Sequence, residues 1–192
     1  MMPGRNNVNH RRSIRLRDYD HTQNGAYFVT ICTLQGVCLF GDVVDGEMVL
    51  NDYGAIVWEE WQRTAIVRAN IELDAFVVMP NHVHGIIVIV DNDSTVGATR
   101  RVAPTNTRPT GPKAGSLGAI VGQFKSVATK RIRQLSHVNV DIPIWQRNYY
   151  EHIIRNEKSF NDIRAYIANN PAKWAEDSFY TQSGFPHDKI KL

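Results

Sequence analysis

The chain has 192 residues, of which 43% are apolar and 21% are charged. This composition supports a single folded domain and excludes global disorder. The sequence has no run of about 18 apolar residues, so we predict no membrane-spanning helix. Residues 1–20 also lack the apolar core of a secretory signal. Two cysteines are too few for a disulfide scaffold or an all-cysteine zinc site, which favours a cytoplasmic protein.

The net charge of +3 is distributed unevenly along the chain. Residues 1–20 hold five Arg against two Asp, and residues 91–133 hold eight Lys or Arg against two Asp. Clusters of this kind suit a polyanion such as nucleic acid, although a solvated surface explains the charge alone equally well. The candidate DNA contacts are Arg11, Arg12, Arg15, Arg17, Arg100, Arg101, Lys125, Lys130 and Arg133.

The predicted elements run in the order three strands, a helix, two strands, a helix, a strand and a helix. The strands are predicted over 26–34, within 37–50 around the turn Asp45-Gly46, over 71–79 and 82–90, and within 142–154. The helices are predicted over 51–68, 117–135 and 157–170. This order, with mostly antiparallel pairs, predicts an α+β fold in which helices pack on one antiparallel sheet.

The domain division follows from the same pattern. Residues 1–20 form a basic N-terminal arm, residues 21–175 form one domain, and residues 176–192 form a C-terminal tail. Within the domain, residues 91–116 are rich in Gly, Pro, Ser and Thr and carry several cations. We therefore predict a long basic loop there.

Two histidines provide the first chemical signal. His82 and His84 stand two apart in a predicted strand, so both imidazoles project from one face, about 7 Å apart along the strand. Such a pair can converge on one divalent cation, although an isolated His-x-His is more often incidental. Two ligands do not hold Mg²⁺ or Mn²⁺ tightly, so we expect a third ligand and a phosphate-bearing substrate.

A second signal lies on the last long helix. Tyr166 and Asn170 are four residues apart, which places them about 40° apart in azimuth, beside the apolar stripe of that helix. A phenolate is a competent nucleophile toward a phosphodiester, and an amide oxygen can bind a metal. A tyrosine at the edge of a core is the common alternative. The adjacent Tyr149 and Tyr150 are rival nucleophiles.

Three segments resemble a known family. Residues 79–85, MPNHVHG, are similar to the His-hydrophobic-His signature of HUH single-strand endonucleases. Residues 145–155, WQRNYYEHIIR, and 163–171, IRAYIANNP, resemble REP-associated tyrosine transposases, relatives of the single-tyrosine transposases of insertion sequences. The resemblance extends from about residue 12 to residue 174, and the three segments in this order are specific.

The resemblance implies a ferredoxin-like or RRM-like α+β core. It also implies cleavage and rejoining of single-stranded DNA through a 5′-phosphotyrosine, with Mg²⁺ or Mn²⁺ as cofactor. His82 and His84 match the metal ligands and act in catalysis with Tyr166, which matches the nucleophile. Asn170 stands where insertion-sequence relatives carry Gln as the third ligand. A hairpin from a repeated extragenic palindrome is the implied target, bound by a monomer or a homodimer.

Two other functions fit parts of the pattern. The basic segments alone would suit a hairpin-binding protein without catalytic activity, acting as a repressor, whose binding is indifferent to metal. The histidine pair alone would suit a hydrolytic metalloenzyme that activates water on a phosphoester without forming a protein–DNA adduct.

Overall fold

The computed structural model of the chain describes residues 22–90, 112–136 and 143–180. The elements are the strands β1 (Gly25–Cys32), β2 (Gly41–Val44), β3 (Glu47–Leu50), β4 (Ile71–Met79), β5 (His82–Ile89) and β6 (Tyr150–Ile154), and the helices α1 (Asp52–Ile66), α2 (Leu117–Ser136) and α3 (Glu157–Asn169). The predicted arm and most of the predicted basic loop lie outside the described residues. None of the helices in these ranges is long and apolar enough to cross a membrane.

The main sheet has four strands in the order β4-β5-β1-β6, and every neighbouring pair is antiparallel. With α1 between β1 and β4, and α2 between β5 and β6, this is the strand order of a ferredoxin-like α+β fold. The predicted fold class is therefore confirmed. β5 is a central strand with helices on both faces, which explains why its sequence, HVHGIIVI, is apolar throughout apart from the histidines.

Local sequence signals set several of the element boundaries. The side-chain oxygen of Asn51 accepts from the backbone N–H groups of Tyr53 and Gly54 and caps α1. Asp45 and Gly46 both have positive φ, at 53° and 81°, which is the backbone of the tight turn between β2 and β3. The predicted Pro80-Asn81 turn joins β4 and β5 as expected.

The strand predicted within 142–154 is shorter in the structure, because β6 covers only Tyr150–Ile154. Among residues 143–149, Trp145 makes an isolated antiparallel bridge with Thr33. Trp145 is buried with its ring centroid 5.2 Å from that of Phe40 and 5.7 Å from that of Phe124. Packing of this indole under the sheet replaces the regular ladder that its strand-like composition predicted.

One face of the sheet packs against α1 and α2 over the larger core. Trp61 of α1 stacks on Phe76 with centroids 4.4 Å apart and rings 7° from parallel. Gly85 of β5 makes this packing possible, since a Cβ built on it would lie 2.3 Å from Cζ2 of Trp61. The opposite face carries a smaller cluster under α3, which includes Phe28, Ile86 and Ile167.

Candidate metal and tyrosine site

The histidine pair lies on the α3 face of the sheet. His82 and His84 alternate with residues of the larger core along β5, and both are fully buried. Their Nε2 atoms lie 3.0 Å apart. Thr30, the register partner of His84 on β1, places its Oγ1 2.8 Å from Nδ1 of His84. Side-chain alternation on two neighbouring strands therefore brings the imidazoles and the hydroxyl together.

Both imidazoles are neutral near pH 7. Burial lowers the pKa of His82 from 6.5 to about 4, against a smaller opposing effect of the Asp177 charge. Burial, and secondarily the neighbouring His82, lowers the pKa of His84 to about 2. A neutral imidazole is the form that offers a nitrogen lone pair to a metal ion.

Tyr166 reaches this pair from α3. Its hydroxyl oxygen lies 3.2 Å from Nε2 of His84, and its ring packs edge-on against Phe28 with centroids 6.1 Å apart. The side chain is 46% exposed, so the phenol is accessible from outside. It lines an open pocket of about 490 Å³ together with Lys173 and Asp177. Burial, and then the Asp177 charge, raises the pKa of the phenol.

Asn170 follows the last residue of α3 and is buried beside the same pocket. Its Nδ2 donates to Oδ2 of Asp177 at 3.1 Å, and this bond sets the orientation of the amide. Oδ1 of Asn170 is then left buried, and no hydrogen-bond partner for it is found among the described residues. A buried acceptor without a partner is costly, which points to a role in binding a ligand.

The arrangement fits a divalent cation. Two ligand atoms at about 2.1 Å from one octahedral ion, in adjacent positions, lie about 3.0 Å apart. The two Nε2 atoms have this separation at 3.0 Å. Asp177 adds a carboxylate, and its ligand atom and those of the two histidines all lie within 4.8 Å of one another. Two imidazoles with an amide and a carboxylate oxygen suit Mn²⁺ or another divalent transition-metal ion better than Ca²⁺.

The predicted DNA-contacting cations are distributed differently. Lys130 is exposed on α2 and Arg133 is half-buried there, and that helix packs on the face of the sheet opposite Tyr166. Nζ of Lys125 donates to the carbonyls of Gln146 and Asn148, at 2.8 and 3.0 Å, so it also anchors the segment before β6. The six arginines predicted in the arm and in the loop lie outside the described residues.

Three polar residues of the site escaped the sequence analysis. Thr30 was detectable in principle, because strand alternation places it opposite His84. Asn81 was assigned only to a turn, yet its Oδ1 lies 2.8 Å from Nδ1 of His82. Asp177 falls in a segment without periodicity, beyond the predicted end of the domain at residue 175, and no local signal marks it.

Comparison with known proteins supports the resemblance. No protein-family model matches the chain. An uncharacterised Haemophilus influenzae protein is 40% identical over 173 residues, which cover 90% of this chain and 94% of that protein. The two proteins therefore belong to one family. A second Haemophilus influenzae protein, provisionally named REP-associated tyrosine transposase, is 26% identical over 157 residues, covering 80% of this chain and 74% of that protein.

A solved structure shares the fold. It is that of a REP-associated tyrosine transposase bound to a REP hairpin, with a TM-score of 0.54 and 19% identity, covering 88% of this chain and 77% of that one. The chain resembles the REP-associated tyrosine transposases in sequence and in fold. The resemblance read from residues 79–85, 145–155 and 163–171 is thereby confirmed.

Proposed function

We propose that this protein is a metal-dependent DNA endonuclease-transposase that cleaves and rejoins single-stranded or hairpin DNA through a phosphotyrosine at Tyr166. The observation that carries the proposal is the meeting of three groups from different elements. The Tyr166 hydroxyl is 3.2 Å from Nε2 of His84, which is itself 3.0 Å from Nε2 of His82. We expect the reaction to occur in the cytoplasm, at palindromic repeats of the REP type.

The reaction requires a half-exposed nucleophile beside a site for a phosphate. In the proposed step the Tyr166 oxygen attacks the scissile phosphorus, a bond forms between them, and the bond from phosphorus to the 3′ oxygen breaks. The phenol loses its proton to water as its oxygen attacks, and the departing 3′ oxygen takes up a proton from water and leaves as a hydroxyl, so the protons balance. The 5′ phosphate stays on the tyrosine. Attack by a 3′ hydroxyl on the phosphotyrosine reverses the step and rejoins DNA.

His82, His84 and Asn170 would hold a Mg²⁺ or Mn²⁺ ion, with Asp177 as an additional oxygen ligand or as the residue that orients Asn170. The bound cation would polarise the scissile phosphate and offset the effects that keep the phenol protonated. The protein's own residues shelter the pair: Phe28 stacks on His84 with centroids 5.4 Å apart, and Phe179 lies 4.8 Å from His82.

The sharpest test asks whether Tyr166 is the residue that becomes covalently attached to DNA. A REP-type hairpin oligonucleotide with a single-stranded flank is incubated with the protein and Mn²⁺, and the covalent adduct is measured on a denaturing gel. We expect Tyr166→Phe to abolish the adduct. Tyr150→Phe is the matched control, because Tyr150 is 44% exposed, lies beside the same Phe28 ring and was a rival nucleophile.

The outcomes separate the three functions. An adduct that survives Tyr166→Phe but is lost in Tyr150→Phe would show that Tyr150, and not Tyr166, is the nucleophile. Cleavage without any adduct, unchanged by Tyr166→Phe, would favour the hydrolytic metalloenzyme. Salt-dependent hairpin binding with no cleavage, unaffected by metal or by His82→Ala, would favour a catalytically silent DNA-binding protein.

A further inference from the structure

The side chain of Asn81 is a junction between three parts of the chain. Asn81 lies between β4 and β5, immediately before the first histidine, and is buried. Its Nδ2 lies 3.0 Å from the carbonyl oxygen of Gly36 and 2.8 Å from that of Phe179. Its Oδ1 lies 2.8 Å from Nδ1 of His82. All the polar atoms of this amide are therefore in use.

The two carbonyl contacts determine which way the amide is turned. A carbonyl oxygen only accepts hydrogen bonds, so the atom that faces Gly36 and Phe179 must be the NH₂ nitrogen. The opposite orientation would place the oxygen of the buried amide against two carbonyl oxygens and remove both of its hydrogen bonds to them, which is unfavourable. The atom facing His82 is consequently the amide oxygen, which also only accepts.

This orientation selects one tautomer of His82. Since Oδ1 of Asn81 cannot donate, the 2.8 Å contact requires the hydrogen to be on Nδ1 of His82. The neutral ring then has its lone pair on Nε2, directed toward His84. A metal-ligating imidazole is held in this way by a partner on its other nitrogen.

His84 differs from His82 in this respect. Its Nδ1 faces the hydroxyl of Thr30, which can donate or accept. His84 can therefore donate from Nε2 to His82 when no cation is present, and carry its hydrogen on Nδ1 when Nε2 is needed as a ligand. His82 is therefore held in the tautomer that can bind a metal, whereas His84 can adopt either tautomer.

The same amide also reaches the far side of the site. Nδ2 of Asn81 holds the Phe179 carbonyl, the N–H of Phe179 donates to Oδ1 of Asp177 at 2.7 Å, and Oδ2 of Asp177 accepts from Asn170. A continuous chain of hydrogen bonds thus connects His82 with Asn170. It links the residue before β5 to the segment after α3.

We propose that Asn81 is a positioning residue of the metal site: it locks His82 in the Nδ1–H tautomer and holds the segment that carries Asp177 against the histidine pair. This inference rests on the proposed function, because that function is the reason for a metal site, but its first test needs neither DNA nor metal.

The first test is the tautomer itself. Protein with ¹⁵N-labelled histidine is examined by long-range ¹H–¹⁵N correlation at pH 7.5 with a chelator, and the His82 signals are assigned by their absence in His82→Ala. We expect wild-type His82 to be predominantly Nδ1–H. Asn81→Ala should shift it toward the Nε2–H form, whereas Asn81→Asp, which keeps the acceptor but loses both donors, should retain Nδ1–H.

The second test is metal affinity. Free Mn²⁺ is measured by electron paramagnetic resonance during titration of each protein. We expect Asn81→Ala to weaken Mn²⁺ binding about 10- to 100-fold, as loss of an outer partner of a metal-ligating histidine does. The matched control is Asn161→Ala, which removes an exposed amide from α3 and should leave the affinity unchanged.

A predominantly Nε2–H His82 in the wild-type protein would overturn the proposal without any variant, even if Asn81→Ala fails to fold. So would an Asn81→Ala protein that keeps the Nδ1–H form or the full Mn²⁺ affinity. If the wild-type protein binds no Mn²⁺ while His82 is locked as expected, the metal-dependent function fails and the positioning role fails with it. In contrast, a locked His82 and intact Mn²⁺ binding without any DNA adduct would overturn the phosphotyrosine chemistry alone.

Discussion

The two faces of the sheet bury different kinds of side chain. The face under α1 and α2 is packed mainly with aromatic and aliphatic side chains: Trp61 stacks on Phe76 and approaches β5 so closely that Gly85 has no room for a Cβ. The face under α3 buries two histidines and an amide oxygen without a hydrogen-bond partner among the described residues. The first face stabilises the fold through packing, while the polar groups buried on the second face should lower the stability of the protein.

The largest expected effect comes from disturbing the face under α1 and α2. Gly85→Val places a side chain where Cζ2 of Trp61 would be 2.3 Å from its Cβ. Trp61 is held between Phe76 and Phe124 and cannot move aside cheaply. We expect a loss of about 3 kcal/mol or more in the free energy of unfolding. Urea denaturation measures it, and a loss below about 1 kcal/mol would show that this face is loosely packed.

The second effect uses pH to disturb the face under α3, where the two histidines are buried. His82 and His84 have pKa values of about 4 and about 2 in the folded protein, below the ordinary 6.5. Between pH 6.5 and 4 the unfolded chain binds more protons, so stability falls as the pH falls. At pH 5.5 we expect a loss on the order of 1 kcal/mol per histidine in metal-free protein.

Urea denaturation at pH 7.5 and 5.5, with a chelator present, measures this loss. The control is the double variant His82→Ala, His84→Ala. Its free energy of unfolding should differ less between pH 7.5 and pH 5.5 than that of the wild-type protein. A wild-type protein that is equally stable at both pH values would mean that water solvates the imidazoles.

A third prediction separates stability from binding. Asn170→Leu removes the buried amide oxygen, which has no partner among the described residues, and also the hydrogen bond from Nδ2 to Asp177. Asp177 is half-exposed, so water can replace that bond, and the free energy of unfolding of the metal-free protein should change by less than about 1 kcal/mol. Protection of the folded state by Mn²⁺ should disappear, because the ligand is gone. Thermal unfolding with and without Mn²⁺ measures both quantities. Strong destabilisation of the metal-free protein would show that Asn170 is structural.

The smallest effect concerns how α3 is attached to the sheet. Arg164 donates to both carboxylate oxygens of Asp74 on β4, each at 2.6 Å, and this contact lowers the pKa of Asp74. The pair is partly exposed, so water and salt screen it. We expect Arg164→Met to lower the Tm by about 2 °C at low salt. In 0.5 M NaCl the difference should disappear; a larger, salt-insensitive loss would mean that Arg164 acts through packing on Phe160.

Sequence periodicity predicted most of the fold, and the reasons are local. The aromatic and β-branched residues of β1 and the continuous apolar run of β5 reflect the burial of these strands on both faces, and Asn51 marks the start of α1 by capping it. The shortened β6 was not predictable in the same way. The residues before it have strand-like composition, but the burial of Trp145 against Phe40 and Phe124 depends on elements more than 20 residues away.

The chain by itself determined that His82 and His84 share one face of a strand and that Tyr166 and Asn170 share one side of a helix, because these spacings follow from the geometry of a single element. Only the tertiary structure decided that the two pairs meet, since this depends on α3 packing over β5. The tertiary structure likewise brought in Thr30 from a neighbouring strand, turned the Asn81 amide by two distant carbonyls, and placed Asp177 at the site. Contacts between residues far apart in the chain leave no periodic trace in it.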